Sequence, residues 1–249
     1  MELSTKKLHQ KTLTLCQEQV KRHRFGSLAF LSFVGTRPWF GSQNSDYDYR
    51  GIYTSFEEKS YHAAIGNIYV EDTSKDVILM SLERFMRDVI TGQMQTLLFI
   101  NSPVVYSTKE FSQLRIFVNQ HPAKQIYRDY IFFNSAKHER KSYLYWFLEY
   151  GNILAILQGK KVIPNLKKLN ETFLKLPVVD SLLQEENSSE KHDHTITFHD
   201  QRKYQSALKR LLIQMKSAYT KTLLPQRLDI KKLNRLAIIK KINPNFWSP

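Results

Sequence analysis

Apolar and polar positions along the chain fall into two regimes. From Lys6 to Arg24, Leu8, Leu13, Leu15 and Val20 gather on one side of a helical projection with Lys, Arg and Gln opposite, the pattern of a helix resting on a sheet. Phe25-Gly26 interrupts it. Ser27–Val34 follows as a nearly unbroken apolar run of strand formers, short enough for a buried strand. Gly35 to Ser45 holds Gly, Thr, Pro, Ser and Asn and predicts a turn. Asp46–Tyr53 alternates and predicts a second strand, Asp76–Met80 a third, and Ser81 a helix N-cap for a helix through Thr91. Beyond Tyr106 the spacing turns helical over 111–120, 123–133, 137–158, 201–223 and 228–242, with an exposed loop at 185–200. The pattern predicts an α+β fold, with a small mixed-sheet layer and its helices over 1–108 and a mostly α-helical region over 109–249.

Composition narrows this. The 249 residues are 42% hydrophobic and 12% aromatic, enough to bury a core, so global disorder is excluded. The single cysteine, Cys16, excludes a disulfide framework and a cysteine-rich zinc module and fits a reducing compartment. The longest apolar stretches, 27–34 and 96–100, fall far short of the ~20 residues of a membrane span, and no apolar signal segment follows the first residues. The expectation is a cytoplasmic protein without a membrane partner. The net charge is +14, and it is unevenly placed: between Arg202 and Lys241 twelve Lys/Arg face one acid, Asp229, so that stretch alone carries +11. A polyanion is the leading partner class, and solvated helix faces ordinarily mix signs more evenly than this.

The chemistry concentrates in Phe33–Gly51. In a strand opening Asp46-Tyr47-Asp48, alternation places both carboxylates on one face, with Cα atoms about 6.5–7 Å apart. Such hard oxygen donors suit Mg²⁺ or Mn²⁺, and a metal pair roughly 3.5–4 Å apart stabilises the attacking and leaving oxygens of a phosphoryl transfer. Gly35 would let backbone amides approach a phosphate, and Thr36 adds a hydroxyl. Asp76, opening a later strand, is the candidate third carboxylate and the base for an attacking hydroxyl. An Asp-x-Asp at a strand edge is also ordinary turn chemistry; it is the ordered set, with Gly-Thr before it and Asp76 after, that favours a site.

The series Gly35-Thr36, Gly41 and Ser45-Asp46-x-Asp48-x-Arg50-Gly51 resembles the signature of DNA polymerase β-like nucleotidyltransferases. More narrowly it resembles the branch described as the RNA repair pathway DNA polymerase β family. Asp76-Val77, Ser81–Phe85, Thr96–Phe99 and Val104–Ser107 continue the likeness, which covers residues 25–160 and fades after that. The resemblance implies a palm-like core using Mg²⁺ (or Mn²⁺) and a nucleoside triphosphate. Asp46, Asp48 and Asp76 fall on its metal carboxylates, and Gly35 and Thr36 on its triphosphate-contacting pair, where the family usually has Gly-Ser. Three departures stand out: Pro38 in the first turn of a short helix, Gly92-Gln93 where the branch often has Gly-Asn-Pro, and Lys141–Leu148, which lacks the His and Arg of a Lys…His…Arg helix.

Other residues keep two readings. Arg37 and Ser45 are placed to help bind the nucleotide, and Arg37 is equally an ordinary loop arginine. Arg50 shares the face of the aspartates and reads as a phosphate contact or an ion-pair partner. On the helix that would cover the site, Tyr145 or Trp146 could stack on a base, or form part of an aromatic core stripe. His192, His194 and His199 sit in a polar loop and read as solvated, with Asp200 a helix N-cap. Lys209, Arg210, Lys231, Lys232 and Arg235 are candidate nucleic-acid contacts. The expected activity is metal-dependent transfer of a nucleoside monophosphate to a hydroxyl, foremost the 3′ end of an RNA such as tRNA. The alternatives are a protein nucleotidylyltransferase of the toxin–antitoxin kind and a non-catalytic RNA-binding module on the same fold. Oligomeric state is left open.

Overall fold

The computed structural model describes residues 2–23, 26–42, 45–54, 68–72, 75–126, 139–188, 196–233 and 235–236. Helix α1 (Glu2–Arg22) leads into strand β1 (Ser27–Val34), the short helix α2 (Thr36–Phe40) and strand β2 (Tyr47–Thr54). Strands β3 (Ile68–Asp72) and β4 (Lys75–Ser81) follow, then helices α3 (Leu82–Thr91) and α4 (Met94–Asn101), and strand β5 (Val104–Ser107). The rest is helical: α5 (Lys109–Gln120), α6 (Arg140–Leu157), α7 (Leu166–Leu169) running into a π-turn at Asn170–Leu174, α8 (Pro177–Ser188), α9 (Phe198–Lys221) and α10 (Ile230–Leu233).

The five strands form one mixed sheet in the order β3-β4-β2-β1-β5. β2 and β4 run parallel, and the other pairs are antiparallel. The fold is therefore α+β, and the unbroken apolar run of β1 lies between β2 and β5, buried on both sides as such a run requires. A register shift between Leu28 and Phe30 puts Leu28 and Leu31, three apart, in one cluster with Cys16 and Val20 of α1. On the other side Phe30 stacks on Phe111 (centroids 4.7 Å) and meets Phe99 edge-on. That second cluster runs without a break from Phe30 and Ile52 through α6 to Tyr204, Leu208 and Leu233. Sheet and helical region thus share one core, although the chain passes from β5 to α5 at residue 108.

Most predicted elements are present with shifted ends, and several differ. The turn at 35–45 contains helix α2, closed by Gly35 and Gly41 at positive φ. Strands β3 and β5 and helices α4, α7 and α8 were not among the predicted elements. The predicted helix at 123–133 begins as a 3₁₀ turn at 124–126, its remainder lying outside the described residues. The predicted loop at 185–200 is helical at both ends, since α8 extends to Ser188 and α9 starts at Phe198. Asp200 is not the N-cap of α9: Thr197 is, accepting from the Asp200 amide at 3.1 Å while its hydroxyl donates to Asp200 Oδ2. His192 and His194 lie outside the described residues. So do residues 234 and 237–242 of the predicted helix 228–242, of which Ile230–Leu233 is helical.

Candidate active site

Three local features bring the acidic residues together. First, β1 and β2 pair with Val34 opposite Asp48, so the chain leaves β1 directly beside that aspartate. Second, β2 and β4 pair in parallel with Asp48 opposite Asp76, which sets the two carboxylates on one face of neighbouring strands. Third, Gly35 adopts φ 84°, ψ −161°, a conformation essentially reserved to glycine. A Cβ there would overlap Asp48 Oδ2 and lie 2.9 Å from its Cγ. The Asp48 carboxylate therefore occupies the space that the missing side chain leaves.

The turn itself is held from several directions. Trp39 Nε1 donates to Ser102 Oγ (2.7 Å), which donates in turn to the Leu98 carbonyl of α4. Asn165 Nδ2, from the N-cap of α7, donates to the Pro38 carbonyl at 2.8 Å. Tyr145 of α6 meets Trp39 and Phe40 edge-on. Pro38 is the third residue of α2, where a helix has no internal acceptor for its amide, and the first internal bond, Trp39 N–H to the Gly35 carbonyl, forms after it.

Between these elements opens a cleft of about 310 Å³, lined by Gly35, Asp48, Arg50, Asp76, Gln95 and Tyr145 among others. Burial, followed by the charges of Asp76 and Asp46, pushes Asp48 up to about 6, while Lys141 of α6 and Arg50 oppose the shift. The same burial pushes Tyr145 up to about 12. Three carboxylates and two cations therefore share one electrostatic neighbourhood. Asp46 is solvent-exposed just ahead of β2, Asp76 is exposed, and Asp48 is half-buried.

Of the residues read from the sequence, Gly35, Asp48 and Asp76 line the cleft, and Asp46 acts on it through its charge. Thr36 is buried at the first position of α2. Arg37 points elsewhere: its Nε donates to the Ser45 carbonyl and its guanidinium lies 4.2 Å from the centre of the Tyr47 ring. Ser45 Oγ donates to the Ser42 carbonyl at 3.4 Å. Arg37 and Ser45 thus brace the loop entering β2. Trp146 packs edge-on against Tyr143, whereas Tyr145 faces the cleft. Gln95 and Trp39 also line the cleft, and no spacing in the sequence marks either of them.

Among the described residues no group of three or more His, Cys, Asp and Glu converges as a ready metal cage. Mg²⁺ does not need one, since it is commonly held by one or two carboxylates with waters and substrate phosphates completing its shell. Asp48 and Asp76 supply two hard donors side by side, and a divalent cation there would offset the burial and the Asp76 repulsion that raise Asp48. The residues fit such an ion.

None of the candidate nucleic-acid residues lines this cleft. Lys209 and Arg210 are exposed on α9, in line with Arg202, Lys203, Lys216 and Lys221. Lys231 and Lys232 are exposed on α10, where Lys232 pairs with Asp229 at 3.7 Å, and Arg235 is exposed beyond it. No helix among the described residues is long and apolar enough to cross a membrane. Compared with known proteins, the chain matches no family model and no curated protein.

Proposed function

We propose that the chain is a metal-dependent nucleotidyltransferase with a palm-like core, which transfers a nucleoside monophosphate from a nucleoside triphosphate to a hydroxyl, foremost on RNA. The observation that carries this reading is the pairing of Asp48 with Asp76 across parallel strands, beside a glycine whose missing side chain makes room for the Asp48 carboxylate. Asp48 and Asp76, with Asp46 at the rim, would hold Mg²⁺ or Mn²⁺. Bound there, the ion supplies Lewis-acid neutralisation of phosphate charge.

The chain's own groups do the rest. The Gly35 turn lines the cleft that would take the triphosphate, and Lys141 and Arg50 bring positive charge to the Asp48 carboxylate beside it. Asp76, the more exposed carboxylate, accepts the proton of the acceptor hydroxyl at a carboxylate oxygen. The hydroxyl oxygen bonds to the α-phosphorus, the α–β bridging P–O bond breaks, and pyrophosphate leaves with that bond's electron pair. Tyr145, half-buried against Trp39 and Phe40, closes one wall against water. The exposed bases of α9, a helix of 24 residues and so about 36 Å long, offer a track for a polynucleotide backbone.

The test is transfer of label from α-labelled nucleoside triphosphates with Mg²⁺ or Mn²⁺ onto total RNA. Label on RNA, lost in Asp48→Asn, is the expected result. Label retained by that variant overturns the carboxylate mechanism, and label on a protein band alone replaces the acceptor. RNA binding with no metal-dependent nucleotide binding would leave only the non-catalytic module.

A further inference from the structure

A second cleft of about 360 Å³ adjoins the first, and the two share Arg50, Ile78 and Gln95 as a common wall. Its other polar lining is Arg84, Asp88, Gln93 and Thr96. Arg50 comes from β2, one alternation beyond Asp48, and lies opposite Ile78 of β4. Arg84 comes from the first turn of α3, which Ser81 caps by accepting from the Arg84 amide at 3.1 Å. Among the described residues, two arginines therefore line one polar space from different elements, with one carboxylate, Asp88. Asp88 sits one helical turn after Arg84; burial raises it, and Arg84 and Arg87 oppose that rise. The surplus charge is positive, whereas the first cleft is dominated by carboxylates.

The side on which this cleft lies limits what enters it. Asp48 stands between Gly35, beyond β1, and Asp76, on β4. The arginine-lined cleft starts at Arg50 and Ile78, one alternation beyond Asp48 and Asp76, and extends along β2 and β4 towards α3 and α4, away from the Gly35 turn. A triphosphate resting on the Gly35 turn would lie at the far end of the first cleft, while a chain whose terminal hydroxyl reaches Asp76 could continue along β4 past Ile78 into the second.

We propose that Arg50 and Arg84 hold the backbone phosphate next to the reacting hydroxyl, so that the acceptor is the end of a polynucleotide strand and not a protein side chain. Guanidinium groups suit this task because each presents two parallel N–H donors to phosphate oxygens. The proposal rests on the transferase reading for the identity of the hydroxyl. The anion site itself can be read by binding alone.

The experiment measures two affinities separately. A fluorescein-labelled pentaribonucleotide with a free 3′-hydroxyl is titrated without nucleotide or metal, and a non-hydrolysable nucleoside triphosphate is titrated with Mg²⁺ by calorimetry. Arg84→Gln should weaken the pentanucleotide roughly tenfold, the loss of one charge-assisted phosphate contact, and leave the triphosphate within about twofold. Arg84→Lys keeps the charge beside Asp88, and with it the local fold, but not the forked donor, and should recover part of that loss. Arg87→Gln, exposed on the same helix outside the cleft, should change neither affinity. Unchanged pentanucleotide affinity in both Arg84 variants overturns the proposal, as does an equal loss of triphosphate affinity, which would assign the arginines to the nucleotide. A wild-type chain that binds the pentanucleotide through Arg84 but neither binds nor turns over triphosphate sustains the strand cleft and overturns the transferase reading instead.

Discussion

The two faces of β2 have opposite character. Tyr49 and Tyr53 turn towards α1 and enter a closed apolar cluster with Cys16, Val20, Leu31 and Leu79. Within it the Tyr49 hydroxyl meets His9 Nδ1 at 2.8 Å. Asp48 and Arg50, one position away on each side of Tyr49, turn the other way and line an open cleft. Farther along that same face Ile52 joins the large core beneath α6. A period of two is enough for one strand to carry a sealed face and a charged one. Charge is tolerated on the second face only near the start of the strand, where the sheet has not yet passed under the helices.

That difference breaks most completely at Asp48. Asp48→Asn should lower transfer activity by at least about 10²–10³-fold, on the scale of removing one group that stabilises transition-state charge. It should also make the protein more stable at neutral pH. The folded-state value of about 6 lies above the ordinary aspartate value of about 4, so the folded chain holds this proton more tightly than the unfolded one. The stabilisation from the bound proton is fully present below about pH 4 and is lost as the pH rises through about 6. In the absence of divalent metal, the Tm of the variant should exceed that of the wild type at pH 7.5, and the gap should close by about pH 4. A variant less stable than the wild type at pH 7.5 would mean that the neighbouring cations outweigh desolvation and the other two carboxylates.

Gly35→Ala tests the same face by crowding it. The new Cβ meets the Asp48 carboxylate, and the backbone must hold a φ of 84° that L side chains rarely adopt. A loss of about 1–3 kcal/mol in urea unfolding is expected from the backbone alone, together with a fall in activity approaching that of the Asp48 variant. Full activity in Gly35→Ala would show that the carboxylate needs no such close seat.

The sequence made this charged face legible because Asp46, Asp48 and Asp76 fall in order after a Gly-Thr turn; the Asp-x-Asp spacing alone is ordinary. The helical lining was less legible. Tyr145 and Trp146 are neighbours in sequence and alike in type, yet one faces the cleft and the other packs on Tyr143; only the packing of α6 decides which. Arg37 looked like a phosphate ligand because it sits in the turn, but α2 carries its side chain back over Tyr47. Gln95 and Arg84 belong to helices whose faces depend on how α3 and α4 fold back on the sheet, which local spacing does not encode. Strand β5 escaped for a related reason: four residues, Val104–Ser107, are too few to display a period.

The smallest effect is expected on the sealed face. Tyr49→Phe removes one hydroxyl from beneath α1 and leaves His9 Nδ1 without that partner. Burial already lowers the His9 pKa and pushes Tyr49 up to about 12, so both groups are neutral at pH 7 and no charge is stranded. The loss should be that of the neutral hydrogen bonds to His9 and Thr12, about 1–2 kcal/mol in urea unfolding. Transfer activity should stay within about twofold, because the ring still fills its place between Phe33 and α1 and the backbone carrying Asp48 and Arg50 does not move. A large fall in activity in Tyr49→Phe, with stability nearly intact, would mean that the two faces are coupled through β2 and that α1 helps to aim the carboxylates.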